Sequence, residues 1–136
     1  MNMITNTLKE KVLYVLAIGL SIFLLFAFIG SVWIGHEAKS LCQTAVWQYG
    51  GDCTQALLSQ LDDEHQGYRN RNHAIWALGQ SGDSRALSTL EKYYTGAIPD
   101  REPLDETISQ YELQKAIKLV KGGTNISSLI WKSLLY

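Results

Sequence analysis

The chain has no excess of either charge. Its 136 residues carry 12 Lys or Arg against 13 Asp or Glu, a formal net charge of -1, and no run of like charge forms a tail. Such a balance supplies no single-sign field of the kind that holds nucleic acid, so nucleic acid is excluded as an expected partner. Cysteine is scarce: Cys42 and Cys53 are the only two. They form no Cys-x-x-Cys pair and have no histidine at a ligand spacing, so no metal site is expected. Both prolines, Pro99 and Pro103, fall in one short segment. No arrangement of residue types marks a catalytic constellation or a cofactor, and the expectation is a chain that is not an enzyme and binds no cofactor.

What the chain does have is one long apolar run. The mean hydropathy of -0.05 averages a very apolar first quarter with a polar remainder. Residues 12–35 carry no charge. At about 1.5 Å per residue they exceed the ~30 Å hydrocarbon core of a bilayer. A cleaved signal peptide would have an apolar region of roughly 7–15 residues and a small-x-small cleavage site, and Val32-Trp33-Ile34 offers none. An uncleaved signal anchor is therefore expected over 12–35, in contact with lipid, against the alternatives of a cleaved signal or a buried core helix. Tyr14 and Trp33 stand near its ends, where amphipathic rings favour the headgroup region. Lys9 and Lys11 precede the span and Lys39 follows it, so the positive-inside bias puts residues 1–11 in the cytoplasm and 36–136 outside. Ala27, Ser31 and Gly35 recur on one face, a spacing that lets another helix approach closely or that arises by chance.

In an exported domain an even pair of cysteines favours a disulfide, here between Cys42 and Cys53, over two free thiols. The spacing raises an objection, because Cys42 is expected about two turns below the tip of a helical hairpin and Cys53 near that tip. The hairpins themselves follow from a repeat. Gly51-Asp52 and Gly82-Asp83 lie about 31 residues apart, within the 20–50-residue periods of helical solenoids. The offset sets Val46 and Trp47 over Ala77 and Leu78, and one inserted residue then matches Ala56-Leu57 with Ala86-Leu87. One hairpin is expected from helices over 37–49 and 53–62, and a second from 68–80 and 84–95. Each aspartate stands where a helix N-cap wants an acceptor, each glycine where the preceding helix must stop.

A third unit is irregular. After the loop that holds Pro99 and Pro103, a helix is expected over 105–121, opened by Asp105 and Glu106 and closed by Lys115, Lys118 and Lys121 ahead of Gly122-Gly123. Ile108, Tyr111, Leu113, Ala116, Ile117 and Val120 give it one apolar stripe. The tail 124–136 reads either as the closing helix of that hairpin, with Ile126, Leu129, Ile130 and Leu134 inward, or as a segment for the bilayer surface or a partner, with Trp131, Lys132 and Tyr136 suited to it. Asn125-Ile126-Ser127 matches a glycosylation sequon.

The segment Ala74-Ile75-Trp76-Ala77-Leu78-Gly79, with Gly82-Asp83 and Arg85-Ala86-Leu87 and ending at Leu90, resembles the bacterial HEAT-like repeats also found in phycobilisome lyases. The part after the span resembles small bacterial membrane-anchored HEAT-repeat proteins. The resemblance implies an all-α fold, a single transmembrane helix followed by a short HEAT-like α-solenoid of two to three hairpins over 36–136, at a bacterial inner membrane. It implies binding or scaffolding of a protein partner at the membrane, as in an accessory subunit of an envelope complex. A lyase-like or chaperone-like ligand site remains the alternative, and it would need His73, Tyr93 or Tyr94 and an arginine to converge.

Partner contact is expected in the charged proline loop, at Asp100, Arg101 and Glu102, with Arg69 and Arg71 beside them, because loops on a rigid scaffold carry recognition. Arg69, Arg71 and Arg85 are expected at one hairpin end, where an arginine next to a Gly-Asp turn also pairs readily with an aspartate of the neighbouring unit. Asp62-Asp63-Glu64-His65 reads as a cation site or, more simply, as a solvated loop.

Overall fold

The computed structural model describes residues 2–135, with side chains over 7–133. Within them the protein is all-helical. Six α-helices follow in order: α1 (Asn2–Tyr49), α2 (Cys53–Asp62), α3 (Tyr68–Ser81), α4 (Leu87–Tyr93), α5 (Gln110–Val120) and α6 (Ile126–Leu135). A short 3-10 turn, Ser84–Ala86, leads into α4.

The expected span and the first hairpin helix are one element. No residue between 36 and 49 breaks the helix, so α1 runs unbroken until Gly50 takes a positive φ of 74° and stops it. Over residues 7–29 the side chains are exposed throughout, Phe23 at 66% and Phe26 at 69%. A core helix would bury such a stretch. This one is long and apolar enough to cross a membrane, with none of its most apolar window buried.

Both Gly-Asp turns form as their chemistry requires. Asp52 accepts from the Gln55 amide at 3.1 Å while the Gln55 side chain accepts from the Asp52 amide, a reciprocal cap on α2. Gly82, at φ 66°, ends α3, and Asp83 accepts from the Arg85 amide at 2.9 Å. Arg85 then joins the two turns: its Nη1 donates to Asp52 at 2.8 Å and its Nη2 to Asp83 at 2.6 Å. Thr54 adds a hydroxyl bond to Asp83 at 2.8 Å. The arginine thus pairs across neighbouring hairpins.

The objection to a Cys42–Cys53 bridge is removed by the path of the chain. The Gly50-Gly51 turn folds back far enough that the first residue of α2 lies beside α1 rather than at its tip. The two Cα atoms come within 5.2 Å, and the cysteines are bonded.

Leu57, Leu61, Ile75, Leu78, Leu90 and Leu113, drawn from α2 to α5, are fully buried and form the centre of the core. Close approach of α3 and α5 depends on Gly79, where a Cβ would stand 2.8 Å from the Ala116 Cα. The repeat does not carry through to burial everywhere, since Trp47 is 88% exposed while its counterpart Leu78 is buried. In the first hairpin Ala45 and Val46 take the inward positions instead.

Three expected elements shift. α4 ends at Tyr93, because Tyr94 is extended. α5 begins at Gln110 rather than near Asp105: Ser109 is its N-cap, bonded to the Glu112 amide, and Glu112 rather than Asp105 or Glu106 supplies the acid of the first turn. The tail forms α6, packed mainly on α1, but in a different rotation from the expected one. Trp131 and Ser128 face inward, and Ile126 and Leu129 are 70% and 72% exposed. Asn125 sets that rotation by accepting from the Ser128 amide at 3.1 Å and donating to the Gln80 side chain at 2.9 Å. The same bonds occupy the sequon's asparagine. The side chain of Leu134 and all of Tyr136 lie outside the described residues.

Two outcomes follow from these joints. The Asp52 and Asp83 carboxyls are held below the usual carboxylate range, first of all by hydrogen bonds from Arg85. A depressed folded-state value gives stability that is present above the unfolded value of ~3.9 and is lost as pH falls through the folded one. Thermal unfolding followed by circular dichroism in detergent should therefore fall in midpoint below about pH 4, and Arg85→Ala should flatten that fall. The Cys42→Ser, Cys53→Ser double variant should lose about 2–3 kcal/mol by the chain-entropy account, read from the same unfolding curves, and reducing agent should lower the wild-type midpoint to match.

Candidate functional site: a groove between α1, α3 and α5

Where α3 meets α1, a groove opens along the first helix, with Glu112 of α5 on its far side. Trp33, Ile34 and Glu37 of α1 and Trp76 of α3 line a hollow of about 320 Å³. Glu37 and Trp76 also line a second hollow of about 310 Å³, together with Leu41, Asn72, His73, Leu104 and Glu112. The two lie side by side and share Glu37 and Trp76 in their walls. Apolar and aromatic side chains make most of the lining, with Glu37 and Glu112 as its carboxylates and His73 exposed beside them.

The far wall depends on one buried amide. Asn72, only 4% exposed, donates to the carbonyl oxygens of Leu104 at 2.9 Å and Thr107 at 2.8 Å, and accepts from the Ser109 amide at 2.9 Å. It thereby shapes the whole turn from Leu104 to the start of α5. Glu102 completes the joint, accepting from the Ser109 hydroxyl and the Gln110 amide, each at 2.6 Å. A carboxylate at a helix N-terminus is favoured by the orphan amides and the macrodipole together.

The structure brings together only some of the residues expected at a contact surface. Asp100 and Arg101 are exposed on the proline loop, and Asp100 and Leu104 line a hollow that also reaches Glu112, so this loop forms the rim of the groove. Glu102 is half-buried and anchors α5, so its role is to hold the loop. Arg71 is 8% exposed, its Nε donating to the Leu61 carbonyl at 2.8 Å and its guanidinium over the rings of Tyr68 and Tyr93. It closes the end of α2 and is not available to a partner. Arg69 is exposed and paired with Asp105 at 3.1 Å. Nor do the three arginines cluster: Arg69 and Arg71 open α3 while Arg85 lies beyond its far end, about 20 Å along the axis.

The acidic run after α2 is used internally. Asp63 accepts from the Tyr49 hydroxyl at 2.7 Å and from the His65 amide at 2.9 Å, and Asp62 accepts from the Tyr93 hydroxyl at 2.7 Å. The Tyr49 hydrogen bond is the main cause of the lowered Asp63 pKa; burial, followed by the bonded carboxylates, raises those of Tyr49 and Tyr93. Among the described residues no group of three or more His, Cys, Asp or Glu side chains is placed to hold a metal ion. His73 shares its hollow with neither Tyr93, Tyr94 nor an arginine, so the convergence that a lyase-like site requires is not formed there.

No family model, curated protein or solved structure matches this chain.

Sequence reasoning missed Asn72 and the groove. Asn72 shares a side of α3 with Ile75 and Gly79, where a polar residue gives no local signal, and its partners are backbone groups more than thirty residues away. Trp33 and Trp76 were visible only as an interfacial ring and a repeat position. Their proximity depends on how α3 crosses α1.

Asn72→Ala should unfold about 2–3 kcal/mol more easily, because it leaves buried backbone groups unpaired, and should open the 98–109 loop to protease. Glu102→Lys should also lower the unfolding midpoint. Arg101→Glu, on an exposed side chain, should leave it unchanged.

Proposed function

We propose that the chain is a membrane-tethered protein-interaction module, in which the groove between α1, α3 and α5 receives a segment of a membrane partner. The observation that carries this reading is the pair Trp33 and Trp76, held in one mostly apolar groove beside the end of the span. Aromatic anchors in a fixed hollow are the usual centre of an interface, ringed by charge that sets orientation. Here Glu37 would receive a cationic group of the partner, Glu112 being paired with Lys115 at 3.0 Å, with Asp100 and Arg101 at the rim.

In this reading residues 12–35 are a signal anchor in a bacterial inner membrane, with the N-terminus cytoplasmic and the helical domain outside. The lysines ahead of the span and the disulfide both support that orientation, since disulfides persist in oxidising compartments. The helical domain is a short HEAT-like stack. Its support is the Arg85 bridge between equivalent Gly-Asp turns and the close α3–α5 contact at Gly79. The module does no chemistry of its own; its part is to hold a second protein at the membrane.

The test is affinity capture of the full-length chain from its native membranes in mild detergent. A partner near equal amount should be recovered with wild type and lost with Trp76→Ala or Glu37→Lys, while Thr44→Ala, on an exposed face outside the groove, keeps it. Capture that survives both groove variants would overturn the groove as the contact site.

A further inference from the structure

α6 is the element most extensively packed on α1, and it meets that helix at an informative height. Trp131, 3% exposed, closes over Gly35, where an added Cβ would stand 2.6 Å from the Trp131 Cγ. Ser31 and Ala38, on the same face of α1 one turn to either side, are also buried at 8% each. Gly35 is the last residue of the uncharged run. Ser31 lies about 6 Å further into it. If that run spans a bilayer, a helix seated there stands at the boundary between headgroups and hydrocarbon, the depth of about 5–10 Å at which amphipathic helices rest.

The outward side of α6 fits that depth. Ile126 and Leu129 lie three apart, hence on one stripe, and are 70% and 72% exposed. Two bonds to the end of α3 hold its rotation: Asn125 donates to the Gln80 side chain at 2.9 Å, and Lys132 Nζ to the Ser81 carbonyl at 2.6 Å. Just below this seat α1 is exposed, Phe28 at 47% and Ile29 at 53%.

We propose that α6 is a second membrane contact, an interfacial helix that presses Ile126 and Leu129 into the same bilayer as α1 and fixes the tilt of the domain on the surface. The occupant of the stripe is lipid, because α6 is seated on α1 at Gly35, inside the uncharged run, at the height where that run would meet the bilayer surface. This inference rests on the anchor reading above. A domain held at two points along its base is oriented, so the groove beside Trp33 faces along the membrane plane toward a membrane partner rather than into bulk solvent.

The experiment uses the full chain, disulfide intact, in nanodiscs of phosphatidylcholine and phosphatidylglycerol, with a polarity-sensitive fluorophore on one added cysteine. Phe23→Cys reports on the span, Leu129→Cys and Ile126→Cys on α6, and Trp47→Cys on the solvent side. Lipids brominated in their acyl chains should quench the Phe23, Leu129 and Ile126 probes, with blue-shifted emission, and leave the Trp47 probe unchanged. Quenching at Phe23 with none at Leu129 and Ile126 overturns the interfacial helix and leaves the anchor standing. No quenching at Phe23 overturns both. Leu129→Cys and Ile126→Cys replace exposed side chains, so near-wild-type unfolding midpoints are expected and confirm that the fold reports its own position.

Discussion

A helix that passes from an apolar stretch into a folded domain has to satisfy two solvents with one backbone. α1 does so by staying regular for its whole length, from Asn2 to Tyr49. Its backbone is hydrogen-bonded within the helix throughout, as any segment that crosses a bilayer requires, and only its side-chain character changes. The lower part presents Leu, Ile and Phe outward on all sides. The upper part presents Ala45, Val46 and Leu41 to a core and Trp47, Gln48 and Glu37 to water. Everything else is arranged around that rod: α2 is bonded to it through Cys42 and Cys53, α6 is seated on it at Gly35, and α3 crosses it to form the groove.

The domain keeps its polar groups in order with few residues, each doing several jobs. Arg85 neutralises two capping aspartates that would repel one another, and it ties equivalent turns of successive hairpins. The bridge is exposed, so its contribution is modest in water, but it fixes register. Asn72 works in the opposite environment. It is buried, and its amide replaces the secondary structure that the loop between Leu104 and Ser109 lacks. Glu102 caps α5 from the same loop. A stretch rich in proline and charge is thereby held as a rigid wall, which allows its outer residues, Asp100 and Arg101, to present a defined rim.

The glycines at close contacts set the distances. Gly79 brings α3 against Ala116 of α5, and Gly35 lets the Trp131 indole lie on α1. In both cases a small residue on a helix allows a neighbouring helix to approach. Small residues at Ser31 and Gly35 are legible as a face that a helix could meet; that the helix is the chain's own C-terminal one is not. The same limit applies to Trp47, which repeat alignment sets over Leu78 although only Leu78 is buried. Alignment compares positions along the chain, whereas burial depends on which side of α1 the rest of the domain occupies.

By itself the amino-acid order determined the features that depend on neighbours in sequence. These are the uncharged run of α1, the Gly-Asp turns with their aspartate caps, the part of the α5 stripe made by Leu113, Ala116, Ile117 and Val120, though not the exposed Tyr111, and the stop at Gly122-Gly123. Each is a local matter of solvation, capping or φ. Tertiary structure alone decided the groove, the Asn72 joint, the internal use of Glu102 and Arg71, and the seat and rotation of α6. Those features join residues on different elements, up to forty-five apart in the case of Asn125 and Gln80, or choose between two faces of one helix. Packing makes that choice, because only the assembled core says which polar side chain is buried and which backbone group is left for it to satisfy.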